Sequence, residues 1–188
     1  MNLTTPGVVC CAAALGLLAQ SQPPVNPDAA IQQEFQKRVT DYVKLHKTIE
    51  GQMPRLKPTA SVEKIEHHER ELAHTIREAR RTAKQGDIFS PEISSEFRRL
   101  IALAMQGQKA GQVKQSLRSS EPEVRAKVRV EVNHKYPATV PLQSTPPTLL
   151  VNLPKLPPEL GYRVVGHNLI LMDAKANLIL DYIPNAIP

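Results

Sequence analysis

Apolar positions in the first half of the chain recur at spacings of three and four residues, the period of an amphipathic helix. The first such stripe consists of Ile31, Phe35, Val39, Tyr42, His46, Ile49 and Met53. Asn26-Pro27 precedes it as an N-cap followed by proline at the first helical position. The stripe stops at GQMPRLKP, where one glycine and two prolines break a helix. We therefore predict one long helix between these two signals.

Two further helices are predicted by the same period. The second runs from about Ser61 to Lys84, with Gly86 as its C-terminal stop. Its apolar stripe is Val62, Ile65, Leu72, Ile76, Ala79 and Ala83. Ser90-Pro91 caps a third helix, whose inward positions are Ile93, Phe97, Leu100, Ile101 and Ala104. The short linker between the first two helices favours an antiparallel helical hairpin. A weak helix is predicted near Val113 to Arg118.

The second half of the chain changes to the pattern of β-strands. KVRVEVN alternates valines with charged residues, which predicts a half-buried strand over residues 128–132. Residues 136–160 contain 7 prolines, so we expect an extended run across a surface. Three short apolar runs follow and predict a three-stranded antiparallel meander that the helices cover. These runs are Tyr162 to Val165, Leu169 to Met172 and Leu178 to Ile183. The predicted fold class is therefore α+β.

The N-terminus has the pattern of a secretory signal peptide. Val8 to Ala19 is an uncharged apolar run of 12 residues, shorter than the roughly 20 that span a bilayer. Ala19-Gln20-Ser21 supplies a cleavage pattern, although no Lys or Arg precedes the run, and a buried N-terminal helix is the alternative. Both cysteines, Cys10 and Cys11, lie inside the run, so a cleaved chain has no thiol. We expect a periplasmic or secreted protein without a stable membrane span.

These signals divide the chain into four regions. Residues 1–21 form the signal peptide, residues 22–120 the helical region, residues 121–160 the strand and Pro-rich connector, and residues 161–188 the meander. The net charge of +6 arises mainly in the helical region, and such an excess favours anionic partners. Export argues against nucleic acid, and aromatic residues make up only 4% of the chain, with no Trp to stack on bases. The expected partner is an unknown protein or an anionic envelope polymer, and a homo-oligomer stays open.

The segment IEHHERELAH raises the question of a metal site. On a helix at about 100° per residue, His67 and His74 point away from the apolar stripe. Glu71-x-x-His74 copies the spacing of carboxylate-bridged metal bundles, but in those bundles the pair projects inward. His67 and His74 are also about two turns, or roughly 11 Å, apart. His67, Glu71 and His74 therefore stay weak metal candidates, a solvated helix face is favoured, and we expect no cofactor.

Two other polar groups on the predicted helices are unusual. His46 and Glu69 each lie within an apolar stripe, and the hairpin could bring them together. They are either an acid-base pair or, as we favour, a buried pair that fixes helix register. A basic stripe on the second helix is either an anion-binding surface or a complement to the helix dipole. Its members are Arg70, Arg77, Arg80, Arg81 and Lys84.

The C-terminal sequence, with VVGHNLILMD followed by NLILDYIP, resembles the strand-turn-strand tail of periplasmic nickel/cobalt-homeostasis proteins. The whole chain, with RVTDYVKLHKTIE and LPKLPPELGYRVVG, also resembles small uncharacterised exported proteins of soil bacteria. The resemblance implies an exported protein and transfers no functional residue. No nucleophile elbow, Ser/His/Asp order or paired-carboxylate geometry is present in the sequence. We predict a non-catalytic exported interaction protein, with a periplasmic metal-binding or metal-stress protein as the alternative.

Overall fold

A computed structural model describes residues 26–106, 111, 115, 128–137 and 147–187 of this chain. Its helices lie in the N-terminal part and its antiparallel sheet at the C-terminus, which confirms the predicted α+β class. The signal segment and the weak helix predicted near residues 113–118 fall outside the described residues, apart from residue 115. In the described part of the chain, no helix is both long enough and apolar enough to cross a bilayer.

The first helix, α1, spans Pro27–Gln52 and begins where the sequence predicted. The Asn26 side chain accepts a hydrogen bond from the Asp28 N–H at 3.1 Å, which satisfies one of the free donors of the first turn. One face is buried and carries Phe35, Val39, Tyr42, His46 and Ile49. The imidazole ring of His46 is polar, so apolar packing does not explain its place within this buried face.

The second helix, α2, spans Val62–Ala79 and starts at an N-cap made by Ser61. It ends five residues before the predicted Lys84, because the chain turns there to carry the next backbone amides to the sheet. Its buried face is short and consists of Leu72, Ala73 and Ile76. Val62 and Ile65 are 61% and 45% exposed although they share the predicted stripe. The N-terminal half of α2 therefore extends beyond the core.

The third helix, α3, spans Pro91–Ala104, and the Ser90 side chain caps it as predicted. Its buried Phe97 packs edge-on against Phe35 of α1, at 5.0 Å between ring centroids. Phe97 also packs edge-on against Phe89 at 5.2 Å and against Tyr162 of the sheet at 5.9 Å. Such edge-to-face contacts stabilise a core beyond simple area burial, and here they join two helices to the sheet.

The sheet is a three-stranded antiparallel meander in the order β1-β2-β3. β1 spans Leu160–Val165, β2 spans Asn168–Asp173 and β3 spans Leu178–Ile183, so the three predicted runs are confirmed as strands. Gly166 and Asn177 adopt positive φ angles of 59° and 50° in the two turns, a conformation that Gly and Asn tolerate best. The register pairs Tyr162 with Leu171 and Met172 with Ile179.

Both faces of the sheet are apolar. One face, with Leu169, Leu171 and Leu180, joins the main core under the helices. The other face carries a smaller cluster, with Ile170, Ile179 and Tyr136, against which Val128 and Val130 pack. Because side chains alternate along a strand, a fully apolar strand requires cover on both sides.

The strand predicted over residues 128–132 is wrong. Residues 128–131 form no ladder, and pairing with β3 is limited to a single bridge between Lys135 and Leu178. Asn133 adopts φ 63°, and its N–H donates to Ile179 O at 2.8 Å. This left-handed turn at Asn133 interrupts extended pairing, so the valines pack on the sheet face instead of extending its edge.

The second described part of the Pro-rich connector, residues 147–160, begins with a helical turn, α4, at Pro147–Leu150. Its Leu149 is fully buried in the main core, and the segment that follows returns to the sheet. The Tyr162 hydroxyl donates to Pro154 O at 3.0 Å. Leu149 and Leu153 in the main core and the bond from Tyr162 of β1 therefore anchor this segment, and it is not extended throughout as predicted.

Candidate functional site

The buried carboxylate of Asp173, the last residue of β2, collects four hydrogen bonds. Its Oδ2 accepts from the Tyr42 hydroxyl at 2.6 Å and lies 2.5 Å from His46 Nδ1, both on α1. Its Oδ1 accepts from the backbone N–H groups of Lys175 at 2.9 Å and Ala176 at 2.8 Å. An ionised carboxylate offers about four lone-pair sites. Asp173 therefore joins α1 to the β2–β3 turn with all of them in use.

His46 lies between two carboxylates. Its Nδ1 contacts Asp173, and its Nε2 lies 3.5 Å from Glu50 Oε2 without forming a hydrogen bond. The hydrogen bond with Asp173 raises the pKa of His46, although burial acts in the opposite direction. A neutral ring would place a lone pair opposite one of these negative groups. The geometry therefore favours the doubly protonated, charged imidazolium.

The groups around His46 respond to its charge. Burial acts to raise the pKa of Asp173, but the hydrogen bonds from His46 and Tyr42 outweigh it and leave that pKa lowered. Burial raises the pKa of Tyr42, and the Asp173 carboxylate raises it further, so the phenol keeps the proton that it donates. The hydrogen bond from Lys175 lowers the pKa of Glu50. His46 is thus surrounded by ionised acids and a neutral phenol.

Two salt bridges complete what we call the His46 cluster. Lys175 Nζ lies 2.6 Å from Glu50 Oε1, and Lys47 Nζ lies 3.2 Å from Glu159 Oε1. The pKa of Glu159 is lowered by its own backbone N–H, against burial, and further by Lys47 and His46. The cluster consists of three acids and three bases: Glu50, Asp173 and Glu159 with His46, Lys47 and Lys175. It is electrically neutral only when His46 carries a proton.

A second aspartate, Asp181 of β3, is as deeply buried as Asp173 but has different partners. It accepts hydrogen bonds from the backbone N–H groups of Gly86, Ile88, Phe89 and its neighbour Tyr182, at 2.8–3.0 Å. It thereby holds the connection between α2 and α3 against the sheet. The positive φ of 95° at Gly86 directs that amide to the carboxylate.

The structure corrects the predicted pairing of His46 with Glu69. His46 is buried, but its partner is Asp173, because the His46 side chain on the buried face of α1 points to the end of β2 and not to α2. Glu69 instead pairs with Lys135 at 2.7 Å, and both side chains are about one third exposed. The bond between α1 and the sheet replaces the expected bond between two helices.

The basic residues of the predicted stripe do not form one helical surface. Because α2 ends at Ala79, Arg81 and Lys84 lie beyond the helix. Arg80 turns inward, donates to Leu180 O and to Asn133 Oδ1 at 3.1 Å each, and lies 5.2 Å above the Tyr42 ring. Arg70 lies 3.5 Å from Glu66, and Arg77 is half-buried on α2. Arg80 is therefore a structural residue.

The histidine-rich segment forms one wall of an open hollow of about 540 Å³. His67, His68 and Glu71 of α2 face Met53, Pro54 and Leu56 of the α1–α2 connection across it. His74 is exposed and is not part of the lining. Among residues 26–106, 128–137 and 147–187, no group of three or more His, Cys, Asp or Glu side chains is placed to hold a metal ion. We call this space the hairpin hollow.

The two buried aspartates were missed because Asp173 was placed in the turn directly after the second predicted strand, and Asp181 lies within the third apolar run that we interpreted as a strand. Asp173 ends LILMD, and Asp181 interrupts LILDYI. A single acid inside a fully apolar strand is a usable signal, since a buried charge requires partners. The partners of these two acids outside the sheet and its turns, however, lie 92 to 131 residues away and follow no local pattern.

Comparison of the chain with family models, with curated proteins and with solved structures finds no match. The site is therefore interpreted from its own geometry.

Proposed function

We propose that this chain is an exported, non-catalytic protein that binds an extended segment of a partner protein in the hairpin hollow. The observation that carries the proposal is the hollow itself. It has an apolar side at Met53, Pro54 and Leu56 and a polar side at His67 and His68. Binding sites combine an apolar surface with a few polar groups that fix orientation.

The open hairpin explains why this surface stays accessible. α1 and α2 pack at Leu72 and Ile76, while the N-terminal end of α2 extends past the core. Leu56 is 41% exposed at the opposite side of the hollow. Exposed apolar side chains beside a concave surface are typical of interaction sites. The hollow is open to solvent, which suits a chain segment better than a small enclosed ligand.

The burial of the titratable groups supports a non-catalytic role. A general base must come within hydrogen-bond reach of its substrate. His46 and Asp173 are 0% exposed, and their polar atoms face one another, Tyr42, Glu50 and the β2–β3 turn. The buried pair of His46 and Asp173 therefore serves to join α1 to the sheet.

The apolar run Val8 to Ala19 supports export. If the chain is exported and cleaved, protein recovered from the periplasm or medium should begin at or near Gln22. N-terminal sequencing measures this directly, and full-length protein retained in the cytoplasm would contradict it.

Site-specific photo-crosslinking tests the binding proposal. A photoreactive residue at exposed Thr75, in the hollow, should give one discrete adduct in cells, whereas the same residue at exposed Gln33 on α1 should not. Leu56→Asp should abolish the Thr75 adduct. Leu103→Asp is the matched control, because Leu103 is 53% exposed on α3 outside the hollow.

Equal adducts from Thr75 and Gln33, or an adduct that survives Leu56→Asp, would overturn the proposal. Urea unfolding of both Asp variants checks that they retain the fold. An adduct of twice the chain mass would identify a second copy as the partner.

A further inference from the structure

The β2–β3 turn, residues 174–177, is attached to α1 by two routes that meet at His46. In one route, Asp173 binds the turn amides of Lys175 and Ala176 and also contacts His46 Nδ1. In the other route, the Lys175 ammonium binds Glu50, whose second oxygen lies 3.5 Å from His46 Nε2. One imidazole ring thus separates two carboxylates that hold the same turn.

Charged and titratable groups face this ring from each element around it. α1 supplies Tyr42 and Glu50, and Lys47 through its salt bridge to Glu159, next to β1. β2 supplies Asp173, the turn supplies Lys175, and Arg80 lies behind the Tyr42 ring. Within the described residues, the two buried side-chain atoms without a hydrogen bond are His46 Nε2 and Glu159 Oε2. Both belong to the His46 cluster.

We propose that His46 is a pH-operated lock: its protonated ring fastens α1 to the β2–β3 turn, and loss of the ring proton loosens the turn together with Glu50. Without the proton, three acids face two bases in the cluster, and the Nε2 lone pair faces the Glu50 carboxylate. The low dielectric of a buried site strengthens that repulsion.

The pH window follows from the direction of the two pKa changes. Because the pKa of His46 is raised by Asp173, its contribution to the folded state is complete below the unfolded value of about 6.5. That contribution is lost as pH rises through the raised folded value. The pKa of Asp173 is lowered, so its own contribution is lost only as pH falls through that lower value. The lock is closed between these two limits.

The lock reaches the surface through Glu50. Glu50 lines a second hollow of about 420 Å³, which shares Pro54, Leu56 and His68 with the hairpin hollow. If the hairpin hollow binds a partner, opening the lock alters one of its neighbours, and this consequence rests on the proposed function. The lock itself does not, because it is measured in the protein alone.

Amide hydrogen exchange tests the lock and contains its own control. The Lys175 and Ala176 amides donate to Asp173, whereas the Ile88 and Phe89 amides donate to Asp181, which has no histidine partner. Between about pH 6.5, the unfolded value of histidine, and the raised His46 pKa of the folded protein, we expect the protection factors of Lys175 and Ala176 to fall about tenfold for each pH unit and then to level off. Those of Ile88 and Phe89 should stay constant. The His46 pKa is read in the same samples from the NMR shift of its Cε1–H.

A parallel fall at all four amides, or a constant protection at all four, would overturn the proposal. His46→Gln provides a second test, since a neutral amide side chain can still donate to Asp173. This variant should lose the pH dependence at Lys175 and Ala176. His74→Gln, at an exposed histidine of α2, should keep it. If His46→Gln does not fold, the wild-type exchange profile decides alone.

Discussion

Asp173 and Asp181 occupy neighbouring strands, are both 0% exposed, and satisfy their charge in different ways. Asp181 accepts only from backbone N–H groups, which keep their protons at every ordinary pH. Asp173 divides its bonds between two backbone amides and two side chains, one of which is a histidine. The first arrangement fixes a loop permanently, and the second makes the attachment of a helix depend on pH.

The two aspartates also differ in what they hold to the sheet: Asp181 holds the α2–α3 connection, and Asp173 holds α1. The α2–α3 connection is held by Asp181 through its own main chain, so substitutions of its exposed side chains, such as Asp87, should matter little. At Asp173, the last residue of β2, side chains hold α1 to the sheet. Single substitutions of Tyr42, His46 or Asp173 should therefore weaken this contact.

Removing the Asp181 carboxylate should have the largest effect. Asp181→Ala leaves the buried amides of Ile88 and Phe89 without a hydrogen-bond acceptor. The Gly86 amide loses its acceptor as well. At about 1–3 kcal/mol for each of these three donors, the free energy of unfolding should fall by roughly 3–9 kcal/mol. Urea unfolding measures the change.

Asp87→Ala is the matched control, because Asp87 lies in the same connection, is exposed and accepts one bond, from Lys84 N–H. It should cost less than about 1 kcal/mol. Equal effects of the two substitutions would mean that burial of Asp181 does not matter.

Asp173→Asn should have the next largest effect. It keeps the size of the side chain but leaves the imidazolium of His46 without its closest carboxylate, and breaking a buried pair in this way costs about 3–5 kcal/mol. Because that carboxylate is the main reason for the raised pKa of His46, the pKa should also fall. Urea unfolding and the NMR titration of His46 measure the two effects. Asp41→Asn, at an exposed position of α1, should change neither.

The comparison also explains what the sequence could predict. The three strands, the N-caps at Asn26 and Ser90 and the start of α2 near Ser61 follow from local signals, and the structure confirms them. His46 was noticed because a polar residue broke an apolar stripe. Its partner could not be found, since Asp173 is 127 residues away and only the packing of α1 across the sheet brings them together.

The remaining differences have the same cause. Residues 128–132 alternate like a strand, yet the left-handed Asn133 and the apolar second face of the sheet determine their path. The apolar stripe predicted for α2 continued to Ala83. In the structure the helix ends at Ala79, and the residues that follow bring the Gly86 N–H to the Asp181 carboxylate. Tertiary partners overrode local periodicity at both places.

The pH dependence of stability should be a smaller effect than either substitution. The stability of wild-type protein relative to His46→Gln should decrease as pH rises above about 6.5. Unfolding returns the raised pKa of His46 to this value, so above it the unfolded chain binds fewer protons than the folded protein. Urea unfolding at several pH values checks the sign. A difference that grows with pH would contradict a charged His46 in the folded protein. Asp181→Ala should shift both curves without changing this slope.

The smallest effect is expected at Glu69. Its bridge to Lys135 is partly exposed, so Glu69→Leu should cost no more than about 1 kcal/mol. Combined with His46→Leu, it should be additive within about 0.3–0.5 kcal/mol in urea unfolding, because the two residues have separate partners. A larger coupling energy would indicate that His46 and Glu69 are in direct contact.

The bond between His46 and Asp173 is tested most directly by a double-mutant cycle. His46→Gln and Asp173→Asn are made singly and together, and the free energy of unfolding of all four proteins is measured in urea at pH 6. A coupling energy of roughly 1–3 kcal/mol is predicted, since the two side chains meet at 2.5 Å in the buried interface between α1 and β2. Additive losses within about 0.3–0.5 kcal/mol would contradict it and would remove the basis of the His46 lock.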